Sequence, residues 1–181
     1  MKPCSFPTLF PSRISPTSHL SHTSPTSHIV RSAQLHLPPS DACSRLLECK
    51  RREHDITIYV AKATESVLTA ESACVNGRYN RCANRCYYAC LQAAIAALLR
   101  EGVRPRGQWS HAFVQAQFVG VLINQRQRYD PQLRRVRSDH QSVRDQADYR
   151  PELVTATQAG RALRRSRLFV TAIRQRGGGA Q

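Results

Sequence analysis

The chain has 181 residues, room for one ordinary domain and a tail. Its 27 Lys and Arg against 12 Asp and Glu give a formal charge of +15, which is silent about fold but favours an anionic partner such as RNA, DNA, a nucleotide or an acidic protein. No apolar run reaches the roughly 18 residues that a membrane span needs, and no compact apolar signal core is present, so the expectation is a cytoplasmic protein without membrane contact.

Residues 1–58 read as a low-complexity, disordered extension. Ser, Thr, Pro and His dominate the first forty, as in Ser15-Pro16-Thr17-Ser18-His19 and its near copy Ser24-Pro25-Thr26-Ser27-His28, and no acid precedes Asp41. Such a stretch buries too little apolar surface to offset its ordering entropy. A functional tail, a transit peptide and a misassigned start codon all fit it, the last best, because the recognisable domain begins so late. Residues 41–58 are transitional. Lys50-Arg51-Arg52 is a short basic cluster, and Ile56-Thr57-Ile58-Tyr59-Val60 is briefly strand-like but too isolated to build a sheet.

From there the periodicity is helical. Val60, Ala63, Val67, Ala70 and Cys74 share one face of a helix that ends at Asn76-Gly77. A second helix runs from about Tyr79 to Glu101, with Tyr87, Leu91, Ala94, Ile95 and Leu98 as its stripe and Gly102 as its stop. A third spans roughly 110–125 and buries Val114, Phe118, Val121 and Leu122. Asp130-Pro131 supplies an N-cap and an N1 proline for a fourth, with Leu133, Val136, His140, Val143 and Ala147 inward and Pro151 as breaker. The last opens at Thr155 and turns Ala159, Leu163, Ser166, Phe169, Val170 and Ile173 inward. Five amphipathic segments on short connections predict an all-α, antiparallel up-and-down bundle over 59–176, with 177–181 a flexible tail.

Of the seven cysteines, Cys82, Cys86 and Cys90 recur every four residues on one helix face, without the second ligand pair of a zinc site. They read as small buried apolar residues in a reducing compartment. No metal and no cofactor is implied. The irregular tail histidines 19, 22, 28 and 36 do not change this. The arginine runs 134, 135, 137 and 161, 164, 165, 167 read as solvated helix faces, with a phosphate stripe as the sharper alternative. All the cations except Lys2, Lys50 and Lys62 are arginines, a bias that reads first as genomic base composition.

Several segments in order resemble the HEPN family. They are Ala70-Glu71, Asn76-Gly77-Arg78-Tyr79, Asn84-Arg85-Cys86-Tyr87-Tyr88-Ala89 (similar to the family's Arg-x-Tyr-Tyr-Ala), Trp109-Ser110-His111, Arg144-Asp145-Gln146-Ala147-Asp148-Tyr149 (similar to Arg-x-x-Ala-Asp-Tyr), Val154-Thr155 and Phe169-Val170. The resemblance implies four core helices plus an accessory one and a homodimer. It also implies an RNA- or nucleotide-associated role, with a nucleotidyltransferase-type partner in a toxin–antitoxin or defence pair. Active relatives are metal-independent endoribonucleases with Arg, four to six residues, then His.

Here Arg144 is present and Tyr149 stands where the histidine belongs. A phenol titrating near pH ~10 is a poor base at neutral pH. The catalytic candidates are Arg144, Asp148 and Tyr149, and the RNA-binding candidates Arg85, Tyr88 and His111. Against them stands a plainer reading: an i,i+4 ion pair of Arg144 with Asp148, a packed Tyr87–Tyr88 pair, Arg85 reaching Asp148, and a hydrogen-bonded core His140. The readings that follow are a non-catalytic RNA- or nucleotide-associated protein, an endoribonuclease toxin, or a purely structural interaction module.

Overall fold

The computed structural model describes residues 41–177; expectations for 1–40 and 178–181 lie outside the described residues. The described chain is all helical, an antiparallel up-and-down bundle of α1 (Asp41–Val75), α2 (Tyr79–Arg100), α3 (His111–Gln117), α4 (Val136–Tyr149) and α5 (Ala156–Gly177). A π-helical segment, Phe118–Gln125, prolongs α3, and a 3₁₀ turn, Pro131–Arg135, leads into α4. Among the described residues there is no strand, and no helix is long and apolar enough to cross a membrane.

α1 starts at Asp41, so residues 41–58, read from sequence as part of the extension, form its first turns. The Ile56–Val60 run is helical, not extended, because Ile56 and Tyr59 lie on the α1 face that packs against the core. Most side chains before Ile56 stay exposed, which is why the apolar periodicity failed to reveal a helix there.

Glycine-closed turns reverse the chain at both ends of α2. At Gly77 (φ +69°), Arg78 N–H donates to Ala73 O (2.8 Å) and Gly77 N–H to Cys74 O (3.1 Å). At Gly102 (φ +75°), Val103 N–H donates to Leu98 O (2.9 Å) and Gly102 N–H to Leu99 O (3.1 Å). Both are Schellman closures, which need a left-handed residue that glycine adopts without strain.

α2 is the axis of the bundle and packs against α1, α3, α4 and α5. From Leu91 to Leu99 every residue except Gln92 is buried, as expected of a helix covered on all sides. Ala93, Ala94, Ala96 and Ala97 let neighbouring backbones approach. Tyr87, Leu98, Leu99, Phe118 and Phe169 supply the volume. The three cysteines of α2 are buried and unpaired, and Cys82 Sγ lies 4.0 Å from Cys86 Sγ and 3.9 Å from Ala159 O. Burial pushes the Cys90 thiol up, so it packs as a neutral group.

Polar ties fix the far end. Ser110 caps α3 by accepting from Phe113 N–H (3.1 Å), and Asp130 caps the 3₁₀ turn by accepting from Gln132 N–H (2.7 Å). Thr155 and Gln158 form a reciprocal capping box at the start of α5, Gln158 Oε1 accepting from Thr155 N–H (2.8 Å) and Thr155 Oγ1 from Gln158 N–H (3.2 Å). Asn80 holds the α4–α5 corner to α2, accepting from Val154 N–H (2.8 Å) and donating to Ala147 O (3.3 Å). The inward face expected for α5 is buried throughout.

His140 sits between α4 and α5 with Nδ1 2.6 Å from Val136 O and Nε2 2.9 Å from Ala162 O. Burial holds its imidazole below the ordinary histidine range against the pull of those two carbonyls. A neutral ring has one N–H, so one of the two contacts at a time is a hydrogen bond.

Two outcomes follow from this packing. Ala94→Leu adds three carbons where the side chain is fully buried and is expected to cost about 1–3 kcal/mol, read as a lowered denaturation midpoint. His140 takes up its proton more readily unfolded than folded, so its contribution is intact above the unfolded pKa and is lost as pH falls through the folded one. The melting temperature is therefore expected to drop less between pH 7.5 and 5 in His140→Gln than in the parent; parallel curves would refute this.

Candidate functional site

The sequence-level candidates converge on one face built from the first half of α2, the start of α3 and α4. Asn84, Arg85, Tyr87 and Tyr88 occupy successive turns of α2, so spacings of three and four residues set 84, 87 and 88 beside the antiparallel α4. Tyr87 is fully buried, and its ring meets that of Tyr88 edge to face at 5.5 Å.

Arg144 places its guanidinium over both rings, 5.2 Å from the Tyr87 centroid and 5.6 Å from that of Tyr88, while Arg85 lies 5.3 Å from the Tyr88 centroid. Arg144 Nε donates to Asp148 Oδ2 at 3.0 Å, the i,i+4 ion pair that the spacing predicts. Asp148 also accepts from Asn84 Nδ2 on both oxygens (3.1 and 3.0 Å), and Asn84 Oδ1 accepts from Arg85 (3.2 Å). Arg85 therefore reaches Asp148 through Asn84 and not by the direct pair that its position suggested. The amide of Asn84 fills the gap between the two helices. Among the described residues, no hydrogen bond occupies the terminal nitrogens of Arg144.

Tyr149 ends α4, is 75% exposed, and makes no hydrogen bond to Arg144. Five residues on a helix amount to about 140° of rotation and α4 keeps its helical form up to Tyr149, yet the phenol still lies near enough to act on the Arg144 guanidinium electrostatically.

The residue the sequence reading missed is Arg137. It was grouped with a solvated basic run, yet it is 3% exposed and reaches back across α3 and α2. Its guanidinium donates to His111 O (3.3 and 3.4 Å) and to the Tyr87 hydroxyl (3.5 Å), and stands 5.9 Å from the Tyr87 ring centroid. Its Nε has no partner among the described residues, and no carboxylate pairs with it. The available signal was position: 137 is three residues before the buried His140 and one after the buried Val136, on the inward side of α4.

The Tyr87 hydroxyl in turn bonds His111 Nδ1, and the two rings lie 5.4 Å apart. Burial first, then the Arg137 and Arg144 cations, hold the His111 imidazole below its ordinary range. Burial raises the Tyr87 phenol, against the same two arginines. Both rings are thus neutral at pH 7. Arg137 can only donate, so the phenol oxygen accepts from it, and the same hydroxyl meets His111 Nδ1, which joins α2, α3 and α4 at one point.

Arg144, Asp148, Arg85, Tyr88 and His111 thus share one environment around Tyr87, and Tyr149 lies at its exposed edge without a hydrogen bond to Arg144. The assembly offers arginine donors, and its neutral imidazole has one N–H to give and one lone pair to accept with. Among the described residues no group of metal-ligating side chains gathers.

Replacing Arg137 by Met removes one of the cations that depress His111. The imidazole pKa is expected to rise, as followed by NMR titration of the His111 ring. An unmoved titration would place Arg137 outside its electrostatic reach.

Comparison with curated proteins finds no match. A family model described as HEPN domain matches residues 56–176, from the middle of α1 to the last turn of α5, and so covers the whole face just described. The chain belongs to the HEPN family.

Proposed function

We propose that this HEPN protein binds RNA or a nucleotide through phosphate contacts at the Arg85–Tyr88–Arg144–His111 face without cleaving it. It would do so as a homodimeric component of a toxin–antitoxin or defence pair, alongside a nucleotidyltransferase-type partner in the cytoplasm. The observation that supports the non-catalytic part is Tyr149, a phenol at the position where active relatives carry histidine. Metal-independent cleavage of RNA needs a base at the 2′-hydroxyl. Here Tyr149 is turned to solvent, and the Nδ1 side of His111 is taken up by the Tyr87 hydroxyl. The binding part rests on Arg144, whose terminal nitrogens are unengaged and whose stem is fixed by Asp148 and two aromatic rings, so that little side-chain freedom is left to lose on contact with a phosphate. The net positive charge acts in the same direction.

The test uses the full chain and a fluorescent single-stranded RNA. Arg144→Ala is expected to weaken binding by about tenfold and to lower the slope of log affinity against log salt by about one. Incubation with RNA should give no fragments from parent or variant. Fragments from the parent that vanish in Arg144→Ala would establish a metal-independent endoribonuclease instead. Absence of any salt-sensitive affinity would leave a protein-interaction module.

A further inference from the structure

A second basic site lies at the opposite end of α4. A cavity of about 530 Å³ opens between the end of the π-helical segment, the loop 126–130 and the end of α5, within the size range of small-molecule pockets. Three arginines line it, Arg128, Arg134 and Arg176, against one carboxylate, Asp130, which is already committed to capping Gln132 N–H (2.7 Å). Arg128 shares Glu101 with Arg126, at 3.4 and 2.9 Å. Among the described residues neither Arg134 nor Arg176 has a carboxylate within salt-bridge distance. Like charges gathered around one concavity repel each other, and an anion in the cavity relieves that repulsion.

The wall is pre-positioned. Tyr129 is nearly buried and stacked on Phe118 (5.6 Å, 29°), and its outer face carries the Arg176 guanidinium at 5.4 Å. Stacking fixes the plane of that guanidinium and leaves its edge donors free. Arg134 is oriented by donating to Asn124 Oδ1 at 2.8 Å.

Two backbone features that cost energy meet at the same place. One is the π-helical stretch Phe118–Gln125, a geometry concentrated at functional sites. The other is Gln127 at φ +47°, the one non-glycine residue with positive φ among those described.

We propose that this cavity binds the phosphate groups of a small phosphorylated ligand, with Arg134 and Arg176 as its principal contacts and Arg128 as a third. Roughly ten residues of helix, on the order of 15 Å, separate Arg134 from Arg144, so one small ligand does not span both faces. The site stands independently of the RNA-facing assignment.

Calorimetric titration of the full-length Arg144→Ala protein with pyrophosphate, and in parallel with metal-free ATP, isolates this site from the other face. Saturable binding is expected. Adding Arg134→Ala and Arg176→Ala should weaken it at least about tenfold, since two charge-assisted contacts are lost. The charge-matched pair Arg45→Ala/Arg51→Ala should leave it unchanged. These four arginines are exposed, so thermal melts should match the parent. ATP binding no tighter than pyrophosphate would assign recognition to phosphate alone; tighter ATP binding would assign a nucleotide. No saturable binding in Arg144→Ala, or equal weakening by both arginine pairs, would overturn the site.

Discussion

A helix covered on every side has to pack against neighbours at close range, and α2 meets that demand with alanine and cysteine where other helices carry leucine. The small residues from Ala83 to Ala97 bring α1, α4 and α5 close to the axis, and large side chains enter only at Tyr87, Leu91, Ile95, Leu98 and Leu99. The spacing between helices is therefore set by Cβ atoms and not by rotamers. This leaves little room for adjustment, since a close-packed interior resists added volume. The functional face inherits that rigidity, because Tyr87 belongs to both the core and the site.

Tyr87 is the joint between packing and electrostatics. Its buried ring supports two guanidinium groups, Arg137 and Arg144, that would otherwise repel each other with little water to screen them. Its hydroxyl accepts from Arg137 and also bonds His111 Nδ1. Arg144 is neutralised by Asp148, which is itself held by Asn84 from the opposite helix. Arg137 has no such carboxylate; the phenol oxygen and the His111 carbonyl are its only hydrogen-bond acceptors among the described residues. A buried cation compensated only by dipoles leaves a positive potential directed at the surface. That potential adds to burial in depressing the imidazole, and the proposed phosphate contacts rest on it.

α4 consequently presents two cationic regions of different construction. Near its C-terminus, the arginines are braced by aromatic rings, with one carboxylate, Asp148, paired to Arg144, and they lie on a face closed by helix packing. Before its N-terminus, they surround an open cavity shaped by a π-helical segment and a left-handed glutamine. The first arrangement suits an extended, externally held phosphate backbone, and the second a compact ligand that enters a concavity.

Much of this was legible in the residues themselves. Apolar periodicity, the start signal Asp130-Pro131 and stop signals such as Asn76-Gly77, Gly102 and Pro151 determined the number and order of the core helices, because short-range geometry decides them. The inward faces of α2 and α5 were readable for the same reason, and so was the Arg144–Asp148 pair, which depends only on helical spacing. The first turns of α1 were not, because they bury almost nothing and leave no periodic trace. The identity of the site was decided by tertiary structure alone. Arg137 resembles its solvated neighbours until α4 is docked on α2 and α3, Asn84 becomes a ligand of Asp148 only across a helix interface, and the contacts linking Arg137, Tyr87 and His111 require three helices to meet. Local sequence specifies which groups a helix carries on each face; only the packing of those faces determines which charges lose their water and which partners replace it.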